Sequence, residues 1–237
     1  MQDQQSADLL AGIGIRKNVQ IGGDTRYDRV AQIGRAVMDL PLIAAFKGDG
    51  QLMIAGSTWP EDEALLAEKI ALLPRDWKLV IAPHEIHEAH IKSILALFPQ
   101  AAVRYSSLGN GETVGDHKVL VIDNIGMLSS LYQYGTIAYV GGGFNKGGIH
   151  NILEPAVFGL PVLFGPVYEK FVEAVELAQL GYVFPVMDAN AYQIILLHLL
   201  NDNAYREEIK GKLLQFMKDH TGATDQILEL IAQQKWI

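Results

Sequence analysis

The sequence contains no cysteine among its 237 residues, which excludes disulfide bonds, thiolate metal sites and thiol nucleophiles. It also lacks an excess of positive charge, since 19 Lys and Arg stand against 27 Asp and Glu and leave a formal net charge of −8. Without a basic block, this charge disfavours nucleic acid as a partner. The longest apolar runs, such as 194–200, fall short of the roughly 20 residues that cross a bilayer.

Short β-branched or apolar runs alternate with longer segments of helical period along the chain. This alternation predicts an α/β fold, a Rossmann-like parallel sheet with helices on both faces. The predicted strands are residues 19–22, 52–56, 79–83, 102–105, 119–123, 137–141, 162–165 and 182–185, and the last predicted helices are 191–200, 205–218 and 224–234. Because open α/β sheets bind ligands at the carboxyl ends of their strands, we expect functional residues in the turns that follow them.

The turn at residues 56–61 contains two hydroxyl side chains and leads into acidic residues. Thr58 and Glu61 have the spacing of a capping box, and the acids at 61–63 complement the dipole of the helix that follows. A well-capped helix accounts for this pattern. The alternative interpretation is a ligand contact through Ser57 or Thr58.

The glycine turn, residues 141–148, is the strongest functional signal in the sequence. Five of its eight residues are glycine, so its backbone can approach a ligand closely. A helix is expected to start near His150 or Asn151, and its free amide groups would suit a phosphate. Glu154 lies about one turn further on the same face as Asn151, where a carboxylate can accept from both hydroxyls of a ribose. Phosphate and ribose together indicate a nucleotide.

A second interpretation of the glycine turn is a tight turn without a ligand, followed by a helix in which Glu154 is an N-terminal charge. Five glycines lose much conformational entropy on folding, and a tight turn alone does not require so many. This cost favours the nucleotide interpretation. Established nucleotide fingerprints are absent: Gly143 and Gly148 have the P-loop spacing, but Ile149 stands in place of the lysine, and no G-x-G-x-x-G occurs. ATPase and dehydrogenase functions are therefore disfavoured.

Three histidines, His84, His87 and His90, follow the predicted strand at 79–83. The zinc-protease pattern needs histidines four residues apart with a glutamate between them, whereas these are three apart. We therefore expect a histidine-rich helix start and no metal site, with His84 placed to face a ligand. No G-x-S-x-G elbow or clear carboxylate pair is present, so the sequence indicates a binding site without a catalytic residue.

Several of these turns together resemble one enzyme family. GGDTRYDR at 22–29, GSTW at 56–59, IAP at 81–83, DNIG at 123–126 and the glycine turn through Glu154 and Pro155 are similar to the C-terminal half of bacterial 3-deoxy-D-manno-octulosonic acid (Kdo) transferases. These are two-domain GT-B glycosyltransferases of lipopolysaccharide synthesis. The resemblance implies that residues 24–237 form a CMP-Kdo binding domain. It also implies that residues 1–23 are the end of the preceding domain and its linker, with Met1 an added start residue.

By this resemblance the chain binds the donor CMP-Kdo and uses no cofactor or metal. The implied donor-binding residues are Ser57, His84, Ile125, Gly126, Met127, Gly142, Gly143, Phe144, Asn145, Gly147, Gly148, Asn151 and Glu154. The glycine turn and Asn151 would contact the phosphate, Glu154 the ribose, and His84 and residues 125–127 the cytosine. Many relatives carry Pro-Arg-His-Pro-Glu-Arg where residues 83–88 read PHEIHE, so histidine would replace two arginine contacts.

The resemblance also implies what the other half of such an enzyme does. The N-terminal domain would supply the general base and bind the lipid A precursor, so this chain alone is expected to be inactive. The full-length enzyme would lie at the cytoplasmic face of the inner membrane and touch it only through that other half, whereas this chain is expected to be soluble. Two other functions stay open: a UDP-sugar transferase or epimerase domain, and a non-catalytic nucleotide-binding module.

Overall fold

The structure is a computed structural model that describes residues 1–108, 114–115 and 117–233. Its strands are β1 Gln51–Thr58, β2 Trp77–Pro83, β3 Ala102–Arg104, β4 Val119–Val121, β5 Ile137–Val140, β6 Val162–Phe164 and β7 Val183–Pro185. They form one seven-stranded parallel sheet in the order β3-β4-β2-β1-β5-β6-β7. The predicted α/β fold is therefore confirmed.

The helices that surround the sheet account for most of the remaining chain. They are α1 Gln4–Gly12, α2 Thr25–Arg35, α3 Pro41–Lys47, α4 Pro60–Lys69, α5 Glu88–Leu97, α6 Leu128–Leu131, α7 Leu153–Ala156, α8 Val172–Gln179, α9 Ala189–Asn201, α10 Asn203–Asp219 and α11 Ala223–Gln233. The predicted helices at 191–200, 205–218 and 224–234 correspond to α9, α10 and α11, apart from Gln234, which lies outside the described residues. Within the described ranges, none of these helices has the length and apolar character that a bilayer span requires.

One predicted strand, residues 19–22, is wrong. This segment has no strand and packs closely on α11 instead. A Cβ added to Gly22 would lie 3.0 Å from the Ile227 side chain, and Gly23 has a φ of +78° with its α-hydrogen side against Ala223. Because Gly23 takes a left-handed conformation, the chain turns into α2 and cannot continue as a strand.

The core of the sheet is apolar on both of its faces. The β1 side chains from Leu52 to Ala55 are all at most 1% exposed, and the β5 side chains from Ile137 to Val140 are equally buried. Such unbroken buried runs are typical of central strands in a parallel sheet that helices cover on both sides. The core therefore fixes the position of the strand ends, where the candidate site lies.

The GGDTRYDR segment, which carries part of the family resemblance, holds helices together. Asp24 caps α2 by accepting from the Arg26 backbone N–H, and the Arg26 guanidinium donates to both carboxylate oxygens of Glu173 on α8 at 2.9 and 3.0 Å. Asp28 accepts from the backbone N–H groups of Gly222 and Thr224 at the start of α11. This segment therefore has a structural role, because it joins the start of α2 to α8 and to the start of α11.

Candidate functional site

The candidate site lies where the strand order reverses. From β1 the chain builds β2, β4 and β3 on one side and β5, β6 and β7 on the other. In open α/β sheets the crevice at such a reversal is the usual ligand site. Turns 57–59 and 141–148 follow β1 and β5, and the Gly141 N–H donates to the Gly56 carbonyl at 2.9 Å. The two strongest sequence signals are therefore adjacent at the carboxyl edge of the sheet.

Four of the five glycines in the glycine turn are required by the fold itself. Gly142 and Gly148 have φ values of +92° and +78°. A Cβ on Gly141 would lie 2.3 Å from the Ser57 carbonyl oxygen, and one on Gly143 would lie 2.6 Å from the Gly165 backbone. Gly147 differs, because a Cβ there would meet only the side chain of Asn145. The number of glycines is thus weaker evidence for a ligand than the sequence suggested.

The helix expected near His150 or Asn151 starts later and is short. The Ile149 N–H donates to the Val167 carbonyl and the His150 N–H to the Gly141 carbonyl, so both residues are held in an extended connection. The Asn151 side-chain oxygen then accepts from the Leu153 N–H at 3.0 Å, at the start of the single turn of α7. This segment therefore lacks a long helix whose N-terminus could bind a phosphate. Contacts with a phosphate would come from the glycine turn and Asn151.

A buried carboxylate, Asp62 on α4, lies beneath the glycine turn and is 1% exposed. Its Oδ2 accepts from the backbone N–H groups of Trp59 and Gly142, both at 2.9 Å, and its Oδ1 accepts from the Tyr139 hydroxyl at 2.7 Å. Burial raises the pKa of Asp62, although these hydrogen bonds oppose the shift. Asp62 therefore links the end of β1, strand β5 and the glycine turn.

A second buried acid, Glu63, lies beside Asp62. Its carboxylate accepts from the Thr58 hydroxyl at 2.9 Å and contacts His90 Nε2 at 2.8 Å, while His90 Nδ1 donates to the Glu85 carbonyl at 2.8 Å. Burial raises the pKa of Glu63, and the contacts with His90 and Thr58 oppose this. The Thr58 hydroxyl is thus used inside the protein. We call Thr58, Asp62, Glu63, His90 and Tyr139 the inner layer.

Above the inner layer, three aromatic rings meet at the strand ends. Trp59 stacks on His84 with ring centroids 4.7 Å apart, and His84 lies 4.5 Å from the His150 ring. The Trp59 indole Nε1–H donates to His150 Nε2 at 3.1 Å. Burial, and then the neighbouring His84, lower the pKa of His150. His84 is exposed at this edge of the sheet.

Asn151 and Glu154 lie on the same surface, as the sequence predicts. The Asn151 side-chain amide donates to Glu154 Oε1 at 3.3 Å. Glu154 is half-buried, and burial raises its pKa, while Asn151 and Arg29 act in the opposite direction. Its carboxylate is thus not turned wholly into the core. We call Trp59, His84, His150, Asn151 and Glu154 the outer layer.

The turn at 125–127 exposes its backbone and the Ile125 side chain, but not the Met127 side chain. Ile125 is 87% exposed, whereas Met127 is 6% exposed and belongs to the core. Gly126 has a φ of +92°, and nothing lies within 4 Å of a Cβ added to it. A ligand that docks here would contact the open backbone at Gly126, and the Met127 side chain would stay beneath it.

The other implied site residues serve the shape of the edge. Ser57 forms a bulge at the end of β1, with a φ of +53°, and is half-buried. This bulge shifts the start of α4, so Trp59 and not Thr58 is the N-cap, and Asp62 in place of Glu61 accepts from its N–H. Phe144 packs against Gly165, and Asn145 Oδ1 accepts from the Gly148 N–H at 3.2 Å. The predicted capping box is therefore displaced by one residue.

The histidine-rich segment after β2 does not fit a metal ion. Ligand atoms of Glu85, His87 and His90 lie within 4.8 Å of one another. Both ring nitrogens of His90, however, already contact the Glu85 carbonyl and the Glu63 carboxylate. His87 Nδ1 accepts from the His90 backbone N–H at 3.1 Å. A metal would have to displace the buried contact with Glu63.

Several residues of this edge are not among the implied site residues, and they include Trp59, Asp62 and His150. The contact partners of Asp62 on β5 and the glycine turn lie 77 and 80 residues away in the sequence. No local pattern marks such a contact. For His150 a signal was present, since it directly precedes Asn151 after a glycine-rich turn.

Several curated relatives of this chain are Kdo transferases, and one is a bifunctional glycosyltransferase/methyltransferase of Fusobacterium nucleatum. The 3-deoxy-D-manno-octulosonic acid transferase of Haemophilus influenzae is 28% identical over 97% of this chain and 55% of its own length. That of Chlamydophila psittaci is 33% identical over 50% of this chain and 27% of its own length. The chain thus spans about half of the Haemophilus influenzae enzyme, and a smaller part of the Chlamydophila psittaci enzyme is aligned. No protein-family model matches the chain.

Solved structures show the same fold. The C-terminal CMP-Kdo binding domain of WaaA from Acinetobacter baumannii matches with a TM-score of 0.61 and 22% identity, covering 80% of this chain and 96% of that domain. A UDP-N-acetylglucosamine 2-epimerase matches with a TM-score of 0.62 and 15% identity, covering 98% of this chain and 56% of the epimerase chain. The resemblance to Kdo transferases and the Rossmann-like architecture of a GT-B domain are confirmed.

Proposed function

We propose that this chain is the donor-binding half of a glycosyltransferase that moves Kdo from CMP-Kdo to a lipid A precursor. The observation that carries the proposal is the outer layer beside the glycine turn, at the reversal of the strand order. There, Glu154 keeps a partly exposed carboxylate next to Asn151. Similarity to Kdo transferases over nearly the full chain supports CMP-Kdo as the ligand of this site.

Different residues at the carboxyl edge of the sheet contact different parts of the donor. Glu154 accepts from the ribose hydroxyls, because a carboxylate offers two oxygens to two donors. Backbone N–H groups at Gly147 and the side chain of Asn151 stabilise the charge that builds on the leaving phosphate. The open backbone at Gly126 borders the cytosine.

Within the described residues, no helix has the length and apolar character to hold this half in a membrane.

Transfer requires a base for the acceptor hydroxyl, and the inner layer does not supply one. Both acids there are buried and already accept hydrogen bonds. We place the base, the lipid A precursor and the contact with the cytoplasmic face of the inner membrane in the N-terminal domain of the whole enzyme. The 237-residue chain is therefore expected to bind donor without transferring it.

Calorimetric titration of the chain with CMP, UMP and UDP tests the proposal. We expect CMP to bind, with UMP and UDP weaker, and we expect no transfer when CMP-Kdo and a lipid A precursor are added. Turnover by the chain alone would contradict the location of the base. Absence of CMP binding would contradict the proposal as a whole.

The second candidate is a UDP-sugar transferase or epimerase domain. It is favoured by the structural match to the UDP-N-acetylglucosamine 2-epimerase, which covers more of this chain than the WaaA domain does. A carboxylate on the ribose suits both nucleotides. Tighter binding of UDP than of CMP in the same titration would favour this candidate. Binding of nucleotides without preference between CMP and UDP would favour a non-catalytic nucleotide-binding module.

A further inference from the structure

The ring of His150 is fixed in one protonation form by Trp59. A tryptophan indole nitrogen can only donate, and its N–H points to His150 Nε2 at 3.1 Å. Nε2 must therefore be without a proton, and the proton of the neutral ring lies on Nδ1. A charged ring would carry a second proton at Nε2 and would lose this bond. The lowered pKa of His150 agrees with the neutral form.

The other ring nitrogen of His150 is left as an open donor. Within the described part of the chain, no group forms a hydrogen bond with Nδ1. This nitrogen is not fully buried. His150 is half-buried, so the ring is held by its surroundings while Nδ1 is reached by solvent. A rigid ring with one unused N–H is a ready donor for an anion.

The ring of His150 belongs to the glycine turn in space. A Cβ added to Gly142 would lie 3.1 Å from His150 Cδ2, and the His150 backbone N–H donates to the Gly141 carbonyl. The groups with ionisable side chains nearby are His84, whose ring is 4.5 Å away, Asp62, which holds Gly142, and Lys170, which packs on Gly148. Asp62 is saturated with donors, so it does not compete for Nδ1.

We propose that His150 is a donor-site residue that donates its Nδ1–H to the anionic phosphate of the nucleotide, and that Trp59 is a positioning residue that fixes this tautomer. The proposal rests on the proposed function for its ligand. It assigns a binding role to His150 as a neutral donor, unlike the charged contact that an arginine would make. Asp62 accepts a hydrogen bond from the Trp59 backbone N–H, and the Trp59 indole in turn donates one to the His150 imidazole.

Two substitutions of His150 separate a ligand role from a structural one. In His150→Asn the amide nitrogen occupies about the place of Nδ1, so the donor to the ligand is kept and the acceptor for Trp59 is lost. In His150→Gln the amide reaches the place of Nε2, so Trp59 keeps an acceptor and the ligand loses its donor. A ligand role predicts that Gln weakens CMP binding about tenfold or more, because hydrogen bonds to charged groups are the strong ones. Asn should weaken it about threefold or less.

A purely structural role predicts the reverse order, with Gln tolerated and Asn harmful. The titration is done with CMP on the 237-residue chain, and thermal unfolding of each variant checks that it is folded. Wild-type affinity in His150→Gln, or tighter binding by Gln than by Asn, overturns the proposal. If the wild-type chain does not bind CMP at all, the proposed function fails instead, so the two failures are distinguishable.

Nitrogen NMR of the histidine rings tests the role of Trp59 without relying on His150 variants. In the wild-type chain we expect His150 to be protonated at Nδ1 only, and added CMP to shift the Nδ1 resonance and slow exchange of its proton. In Trp59→Phe we expect a mixture of tautomers, a raised pKa of His150 and a severalfold loss of CMP affinity. A wild-type ring protonated at Nε2, or an unchanged tautomer in Trp59→Phe, overturns the positioning role.

Discussion

The inner and outer layers of the carboxyl edge hold similar side chains in different states. In the inner layer, both carboxylate oxygens of Asp62 and of Glu63 have partners, and both residues are 1% exposed. In the outer layer, His150 and Glu154 are half-buried, and His150 keeps an open donor. The difference teaches that acids and histidines at one sheet edge divide into those that hold the fold and those free for a ligand. Satisfied hydrogen bonds mark the division better than residue type does.

The largest effect is expected inside the glycine turn, which is divided in the same way. Gly143→Ala places a Cβ 2.6 Å from the Gly165 backbone, and we expect a loss of about 3 kcal/mol in the free energy of unfolding. Gly147→Ala places a Cβ 2.8 Å from Asn145 Oδ1, which can move at the cost of its hydrogen bond from the Gly148 N–H, and we expect a loss of at most about 1 kcal/mol. Denaturant unfolding measures both. Equal losses would remove the division of the turn.

Removal of the Asp62 carboxylate should come next. Asp62→Ala leaves the backbone N–H groups of Trp59 and Gly142 and the Tyr139 hydroxyl without their acceptor, and we expect a loss of about 2 to 3 kcal/mol. The neighbouring Glu61 is exposed and contributes only to the helix dipole, so Glu61→Ala should cost less than about 1 kcal/mol. Similar unfolding midpoints for the two variants would show that the inner layer does not stabilise the edge.

Glu154→Gln tests the outer layer through binding. We expect CMP affinity to fall about tenfold, or about 1.4 kcal/mol, because one acceptor oxygen for the ribose becomes a donor. Stability should change little, since Glu154 is half-buried and its pKa is raised by burial. Glu169→Gln, an exposed acid of the turn after β6, is the matched control for charge. A stability loss as large as that of Asp62→Ala would move Glu154 to the inner layer.

The pH dependence of stability should also separate the layers. Burial raises the pKa of Asp62 above 3.8, so between that value and the raised one the folded state keeps a proton that the unfolded chain has released. The stabilisation that comes from protonation of folded Asp62 is thus fully present below pH 3.8 and is lost as the pH rises through the folded pKa. Asp62→Asn cannot titrate, and we expect its stability relative to wild type to rise across this window. A constant difference would contradict the raised pKa.

The smallest effect is expected at the bulge of β1. Ser57 has a φ of +53°, which costs a serine roughly 1–2 kcal/mol, and glycine removes this strain at a backbone-entropy cost of roughly 0.5–1 kcal/mol. We therefore expect Ser57→Gly to stabilise the protein by about 0.5 kcal/mol in denaturant unfolding. A loss of stability would mean that the Ser57 side chain itself holds the edge.

Much of the fold follows from local patterns in the sequence. Buried β-branched runs predict the seven strands, because a parallel sheet covered on both sides needs continuous apolar segments. The eighth, at 19–22, fails because Gly22 and the following Gly23 pack on α11, about 200 residues later, and no local pattern shows that contact. The bulge at Ser57 likewise depends on pairing with β2, so the start of α4 was predicted one residue early.

The candidate site is only partly visible in the sequence. Asn151 and Glu154 are three residues apart, and their spacing alone predicts a shared surface. The glycines of residues 141–148 indicate a special turn, but their number does not tell which serve internal packing and which face a ligand. That distinction depends on where Ser57 and Gly165 come to lie in space. The same holds for His150, whose tautomer is decided by an indole from another turn.

The reversal of strand order has a consequence for synthesis of the chain. Once residues up to 130 have emerged from the ribosome, β1 to β4 can pair on one side of β1, while residues 53–56 of the other edge wait for β5. At roughly 5–20 residues per second that edge is unpaired only briefly. In a prematurely terminated polypeptide it stays open, and an exposed apolar strand edge is a template for aggregation. Translational pausing between β4 and β5 should therefore raise the demand for chaperones more than pausing after β6.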